Sequence, residues 1–286
     1  MNIQLKFIFI LFLTIILVEN SHAQITVPAT SPSATLSQKI GLSDVKIIYS
    51  RPSARGRQIM GDLVPYGKIW RTGANEATKV SFSEEVTIEG KQLAAGEYGL
   101  FTIPEQDEWT VIFSNNTQLW GNQGYNDQDD AIRFKVKAHK NPNFVETFTI
   151  NVADVTTAGA IFEIMWENTI VKFNVTSDVD SKVMAQIDRF SANPEASLAN
   201  MYFQAATYYY ETDRDLNKAL EWVNKTLEVN QAYWILHLKA KIQAKMKDFK
   251  NAITSAEGSI AKAKEANNED YVKLNEKAIA EWKKMK

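Results

Sequence analysis

The chain contains no cysteine among its 286 residues. Disulfide bonds, thiol nucleophiles and cysteine-ligated zinc are therefore excluded, as is a lipoprotein anchor, which needs a cysteine at the cleavage site. Histidine is scarce too, and only His139 and His237 follow residue 23. Two histidines far apart in sequence do not indicate a histidine-rich metal cluster. The sequence predicts no metal site and no cofactor.

The chain also lacks a charge excess and, after residue 24, a long apolar run. Its net charge is −2, which gives no general attraction to nucleic acid or anionic lipid. Each later apolar stretch is soon interrupted by a charged residue. We therefore predict no nucleic-acid partner and no membrane insertion once the N-terminal segment has been removed.

That N-terminal segment has the pattern of a secretory signal. Lys6 precedes an apolar run of about a dozen residues from Phe7 to Val18, and Ser21-His22-Ala23 supplies small residues at the two positions that signal peptidase recognises. An uncleaved anchor is the alternative, but a spanning helix needs about 20 residues. We expect residues 1–23 to be a cleaved signal peptide and the protein to be periplasmic or secreted.

The next part of the chain alternates apolar and polar residues with period two. Val45, Ile47 and Tyr49 begin the pattern, which recurs around residues 80–88, 109–113, 132–136, 148–152, 162–166 and 171–175. Short runs rich in β-branched and aromatic residues indicate strands with one buried face. Turn residues separate them, including Glu89-Gly90-Lys91 and Glu167-Asn168-Thr169. We predict an antiparallel β-sandwich over residues 24–177.

From residue 178 the apolar spacing becomes helical. Asp215-Leu216-Asn217-Lys218-Ala219 recurs 33 residues later as Asp248-Phe249-Lys250-Asn251-Ala252, with amphipathic stretches on both sides of each copy. This period and arrangement resemble tetratricopeptide repeats, in which Ala219 and Ala252 would be the small residues of the second helices, and Thr207 and Ala240 those of the first. The sequence predicts an all-α helical-hairpin repeat domain over 178–286, with a generic helical bundle as the alternative. The fold class is thus a two-domain α+β protein.

Three segments of the β domain resemble a known family. Arg51-Pro52-Ser53-Ala54-Arg55-Gly56-Arg57, Trp70-Arg71-Thr72-Gly73-Ala74-Asn75-Glu76-Ala77-Thr78 and Gly96-Glu97-Tyr98-Gly99-Leu100-Phe101 are similar to domain-of-unknown-function family 2911. The resemblance covers about residues 25–175. It implies an exported bacterial protein, in a family where helical repeats sometimes follow, and it implies no particular activity.

A cluster of arginines is the main candidate for a site. Four of the seven arginines lie between Arg51 and Arg71, in the longest predicted connection between strands. Long loops on a β scaffold commonly carry ligand contacts, and the planar guanidinium suits carboxylate, phosphate or sulfate. A second loop adds aromatic and polar groups suited to a sugar ring or a peptide carboxylate. The predicted ligand-binding residues are Arg51, Arg55, Arg57, Trp70, Arg71, Asn75, Glu76, Trp120 and Tyr125.

Three functions remain open from the sequence. The leading hypothesis is a non-enzymatic binding and scaffolding protein, in which the sandwich recognises a small anionic, peptide or glycan ligand and the repeats hold a protein or peptide partner. The second is an envelope glycan- or peptide-processing enzyme that uses Glu76 beside the arginines. The third is a structural protein, in which the arginines only fasten the long loop and Trp70 plugs the core.

Overall fold

The computed structural model describes residues 27–192 and 199–285. The predicted signal peptide, residues 1–23, lies outside the described residues. The chain divides into two compact units between Val179 and Asp180. Among the described residues, no helix combines the length and apolarity needed to cross a membrane.

The first unit is built from antiparallel strands, which confirms the predicted β domain. Its alternating sequence explains the burial: Val45, Ile47 and Tyr49 point into the core while the residues between them are exposed or half-buried. The strands are β1 (Ser33–Ile40), β2 (Ser43–Ser50), β3 (Thr78–Phe82), β4 (Val86–Ile88), β5 (Lys91–Leu93), β6 (Gly96–Ile103), β7 (Glu108–Ser114), β8 (Asp130–Ala153) and β9 (Gly159–Thr176).

These strands form one continuous sheet in the order β1-β2-β3-β6-β7-β8-β9-β4-β5. The sheet folds over so that its two halves face each other across one core. The Tyr49 hydroxyl on β2 donates to the Ile150 carbonyl on β8 at 3.2 Å, and Phe113 on β7 contacts Phe173 on β9 with ring centroids 6.2 Å apart. The apolar side of each half is buried against the other, as in a sandwich.

The strands β8 and β9 are longer than the sequence predicts. The predicted turn at Glu167-Asn168-Thr169 lies inside β9, and β8 continues through the segment around Asn141. Glu167 adopts a positive φ of 49°, and the β8–β9 register shifts on both sides of Val145. The turn-forming residues therefore make bulges, which bend a strand without ending it. This lets β8 pair with β7 over Asp130–Lys137 and with β9 beyond.

The second unit is helical, as predicted. The described helices are α1 (Val179–Ala192), α2 (Ala199–Glu211), α3 (Leu216–Val229), α4 (Tyr233–Lys245), α5 (Phe249–Glu265) and α6 (Glu269–Trp282). Ala219 and Ala252 are fully buried in the second helix of each hairpin, as is Ala240 in a first helix. In the first hairpin the fully buried small residue is Ala206, whereas Thr207 is half-buried and donates to the Phe203 carbonyl.

The repeated aspartates begin the second helix of each hairpin. Asp215 accepts hydrogen bonds from the backbone N–H groups of Asn217 and Lys218, and Asp248 accepts one from Asn251. A carboxylate at this position accepts hydrogen bonds from N–H groups that have no partner within the helix, and its negative charge is stabilised by the positive end of the helix dipole. The sequence repeat thus reflects a repeated helix start.

Candidate functional site

The candidate site is built on residues 51–77, which connect β2 to β3. The backbone is fastened along its length: Ala54 N–H donates to the Glu146 carbonyl at 2.8 Å, and Trp70 exchanges hydrogen bonds of 2.7 and 2.9 Å with Thr102. Gly73 has a φ of 150°, and a Cβ there would lie 3.1 Å from the Ser50 carbonyl oxygen. Only glycine fits at this position, and its presence lets the chain turn sharply beside the sheet. The connection is therefore a fixed part of the β domain.

Trp70 anchors this connection in the core. Its side chain is 9% exposed, and its indole N–H donates to the Gly73 carbonyl at 3.1 Å. The ring stacks on Trp166 at 5.9 Å and meets Trp109 and Phe148 edge-on. Trp70 thus fills the core beneath the loop, and it also lines the cleft described next.

A cleft of about 340 Å³ opens beside Trp70. We call it the cationic cleft; the polar and aromatic residues that line it include Ser31, Arg57, Lys68, Trp70, Arg71 and Asn122. None of its described lining residues is a carboxylate or a histidine. Three positive side chains therefore share a concave site with no negative side chain in its wall.

Arg71 is the unusual member of this cleft. It is half-buried, and burial lowers the pKa of its guanidinium. Its Nε atom is buried and has no hydrogen-bond acceptor within residues 27–192 and 199–285. By contrast, Arg57 is held by its own loop, donating to the carbonyls of Ala54 at 3.0 Å and Ser53 at 2.8 Å. Arg71 is a fixed cation with unused donor capacity.

The second predicted loop lies against the first. Gly121 N–H donates to the Asn75 carbonyl at 3.0 Å, and the Asn122 side chain donates to the Ile69 carbonyl at 2.9 Å. Gly121 has a φ of 74°, and a Cβ on it would lie 3.2 Å from Arg71 Nη1. The glycine therefore leaves room for the guanidinium, and the two loops form one surface.

A second cleft is lined by residues of both loops. We call it the Trp120 cleft; it has a volume of about 470 Å³ and is lined by residues that include Ser50, Asn75, Glu76, Lys79 and Trp120. The Trp120 side chain is 66% exposed. The Glu76 carboxylate is 62% exposed and lies 3.5 Å from Lys79 Nζ. Glu76 does not line the cationic cleft.

The remaining predicted site residues lie outside both clefts. Arg51 donates to the Phe148 carbonyl at 3.1 Å and to Thr149 Oγ1 at 2.8 Å, and Arg55 is exposed and donates to the Thr30 carbonyl at 3.1 Å. Tyr125 donates to the Asp130 carboxylate at 2.8 Å. Burial, followed by this carboxylate, raises the pKa of Tyr125 to about 12. Arg51 and Tyr125 thus fasten loops to β8, whereas Arg55 fastens its loop to the segment before β1.

The structure adds three residues that the sequence prediction did not include. Ser31, Lys68 and Asn122 all line the cationic cleft. Lys68 carried a usable signal, since it lies within the Arg51–Arg71 cluster. Asn122 also carried a signal, since it lies in the second aromatic and polar loop, whereas Ser31 carried none, because it reaches the cleft from a distant part of the chain.

Comparison with known families agrees with the sequence resemblance. The family model described as "Protein of unknown function (DUF2911)" matches residues 31–175, which is just over half of the chain. The chain belongs to this family. Neither the curated proteins nor the solved structures contain a significant match. The matched region includes both clefts and ends before the helical unit.

Proposed function

We propose that the β domain binds a small anionic ligand in the cationic cleft. The observation that carries this proposal is that Arg57, Lys68 and Arg71 line one concave wall in which no described residue is a carboxylate. A carboxylate, phosphate or sulfate would accept from the guanidinium in a charge-assisted, bidentate geometry. Such a ligand would offset the mutual repulsion of the three cations.

Binding is favoured over catalysis by the composition of the cleft. General acid–base chemistry needs a titratable group within hydrogen-bond reach of the reacting atoms. Glu76, the predicted acid or base, lines the second cleft, where its carboxylate lies 3.5 Å from Lys79 Nζ. The positive side chains would hold and orient an anion without providing a proton acceptor.

A thermal-shift screen tests the proposal with the purified full-length chain. Acetate, citrate, phosphate, sulfate, glucuronate and N-acetylneuraminate are added one at a time. A ligand at 100 times its Kd stabilises the folded state by about 2.7 kcal/mol. We expect at least one anion to raise the Tm of the wild type and to have no effect on Arg71→Met.

Arg55→Met is the matched control for that screen. It removes the same charge from the same connection, but Arg55 lies outside the cleft and is bound to the Thr30 carbonyl. The Arg55→Met variant should keep the ligand-induced shift. An equal loss of the shift in both variants would mean that net charge, and not the cleft, attracts the anion. A blank screen would contradict the proposal.

We also propose that the helical domain holds a protein partner and that the protein works in the periplasm or outside the cell. The first part is supported by Tyr210 on α2, which has the Nζ atoms of Lys241 and Lys245 on α4 each 4.6 Å from its ring. Arrays of this kind present an extended concave surface to their partners, and this cluster connects two successive first helices. The second part rests on the pattern of residues 1–23.

Crosslinking in cells, followed by mass spectrometry, tests the partner. A protein crosslinked to the wild type and lost in Lys241→Glu, with anion affinity unchanged, would support the assignment. Identical crosslinks in both forms would contradict it. Export is tested by fractionating the producing cells, because a cytoplasmic, uncleaved chain would contradict the localisation.

A further inference from the structure

We propose that the ligand is an acidic saccharide of at least two units. Its anionic group would lie in the cationic cleft, and a neutral sugar ring would stack on Trp120 in the Trp120 cleft. This inference rests on the proposed function, because it assumes that the cationic cleft binds an anion. It adds the class of the ligand and a second subsite.

The two clefts are neighbours. Asn75 lines the Trp120 cleft, and its side-chain amide donates to the Ser31 carbonyl at 3.3 Å and to Ser50 Oγ at 3.2 Å. Ser31 lines the cationic cleft. Trp120 and Asn122, one in each cleft, are two residues apart, so their Cα atoms lie within about 7.6 Å. A single sugar ring cannot fill two separate clefts, whereas a disaccharide or trisaccharide offers one ring to each.

The charges of the two clefts differ in a way that fits such a ligand. The cationic cleft has three positive side chains and no described carboxylate in its wall. In the Trp120 cleft, Lys79 and Glu76 lie 3.5 Å apart and balance each other. A ligand with negative charge along its whole length would meet Glu76 unfavourably. A ligand with an anionic end and a neutral end would suit both clefts.

The side chains of the Trp120 cleft favour a sugar over an aromatic or peptide group. Trp120 is largely exposed and offers a flat apolar face. Such a face can stack against the apolar side of a ligand while the groups around it stay in contact with water. Around it lie a hydroxyl, an amide, a carboxylate and an ammonium, from Ser50, Asn75, Glu76 and Lys79. These groups can donate to and accept from several hydroxyls. The hydroxyls of a sugar ring can use the remaining donors and acceptors of these groups, whereas an apolar peptide side chain cannot.

Isothermal titration with the full-length chain tests the inference through paired probes. Each acid is offered alone and joined to neutral sugars: glucuronate with glucuronosyl-xylobiose, galacturonate with galacturonosyl-rhamnose, and N-acetylneuraminate with sialyllactose. Wild type and Trp120→Ala are compared. We expect a joined form to bind the wild type about tenfold more tightly than its acid alone, and we expect Trp120→Ala to lose this gain while binding the acid alone equally well.

The outcomes separate this inference from the proposed function. If the joined forms bind no more tightly than the acids, or if the gain persists in Trp120→Ala, the second subsite is wrong and the anion site stands. If acetyl-Ala-Ala gains affinity through Trp120 and the saccharides do not, the ligand class is wrong. If no acid binds the wild type, both proposals fail. Exposed Val27→Ala, which lies outside both clefts, should reproduce the wild-type values.

Discussion

Replacing Arg71 with methionine should raise the stability of the β domain while abolishing anion binding. The buried Nε of Arg71 has no described acceptor, and burial lowers the pKa of the guanidinium, so the charged form is disfavoured in the folded state. A buried polar group left without a partner costs about 1–3 kcal/mol. Since Arg71 is only half-buried, solvent screening places the expected gain at about 1 kcal/mol, near the lower end of that range.

Thermal and urea unfolding, followed by the near-ultraviolet signal of the β-domain tryptophans, measure this gain. For a domain of this size, about 1 kcal/mol corresponds to a rise in Tm of about 2–4 °C. Methionine keeps an unbranched apolar side chain at this position and removes the charge that Arg57 and Lys68 repel. Anion-induced stabilisation should disappear in the same variant.

Arg51→Met is the matched control, because it removes an arginine that does have partners. Arg51 donates to the Phe148 carbonyl at 3.1 Å and to Thr149 Oγ1 at 2.8 Å. Hydrogen bonds from a charged group contribute about 1.5–3 kcal/mol, so this variant should lose about 2 kcal/mol. If Arg71→Met falls in stability as Arg51→Met does, Arg71 only fastens the loop and the binding proposal is refuted.

Three other perturbations test the site and the helical domain. Trp70→Ala should cost about 3–5 kcal/mol in urea unfolding, and a cost below 1 kcal/mol would contradict its placement in the core. Gly121→Ala should weaken anion affinity, because the added methyl group would crowd Arg71 Nη1. Gly90→Ala is the control: Gly90 has a similar φ of 78° but lies in open space, so this variant should keep the wild-type affinity. Equal affinities of the two variants would contradict the contact between position 121 and Arg71. Burial lowers the pKa of His237, so below about pH 6.5 only the unfolded chain gains that proton. The urea midpoint of the helical domain should therefore fall between pH 7 and pH 5.5. If the midpoint of a His237→Gln variant falls as steeply, His237 is not the cause of the pH dependence.

The sequence predicts the two domains well because both depend on local periodicity. Alternation at Val45, Ile47 and Tyr49 requires a half-buried strand, and the repeated Asp215 and Asp248 coincide with helix starts. The continuous β8 and β9 strands could not be predicted in this way. Glu167-Asn168-Thr169 has the composition of a turn, and only pairing with β8 decides that it becomes a bulge.

The candidate site could be predicted only as a region. Arg51 and Arg71 look equivalent in sequence, yet Arg51 finds acceptors on Phe148 and Thr149, which lie 97 and 98 residues away. Which arginine stays unpaired is decided by those long-range contacts. Trp70 and Trp120 also look alike, but one is buried among aromatic rings and the other is exposed. Tertiary packing, and not residue type, separates fastening groups from available ones.

Two other arginines have an acidic partner among the described residues, and Arg71 does not. Arg133 has the Asp130 carboxylate at 2.7 Å, and Arg214 pairs with Asp180 although its Nε, like that of Arg71, is buried without an acceptor among the described residues. The chain has 34 acidic residues for 32 basic ones, so acidic residues are available in composition, yet none lines the cleft that Arg57, Lys68 and Arg71 share. A fold stabilised by only about 5–15 kcal/mol keeps three cations together at a cost. An anion that arrives from solution would remove that cost, and for this reason we propose that the β domain binds its ligand in this cleft.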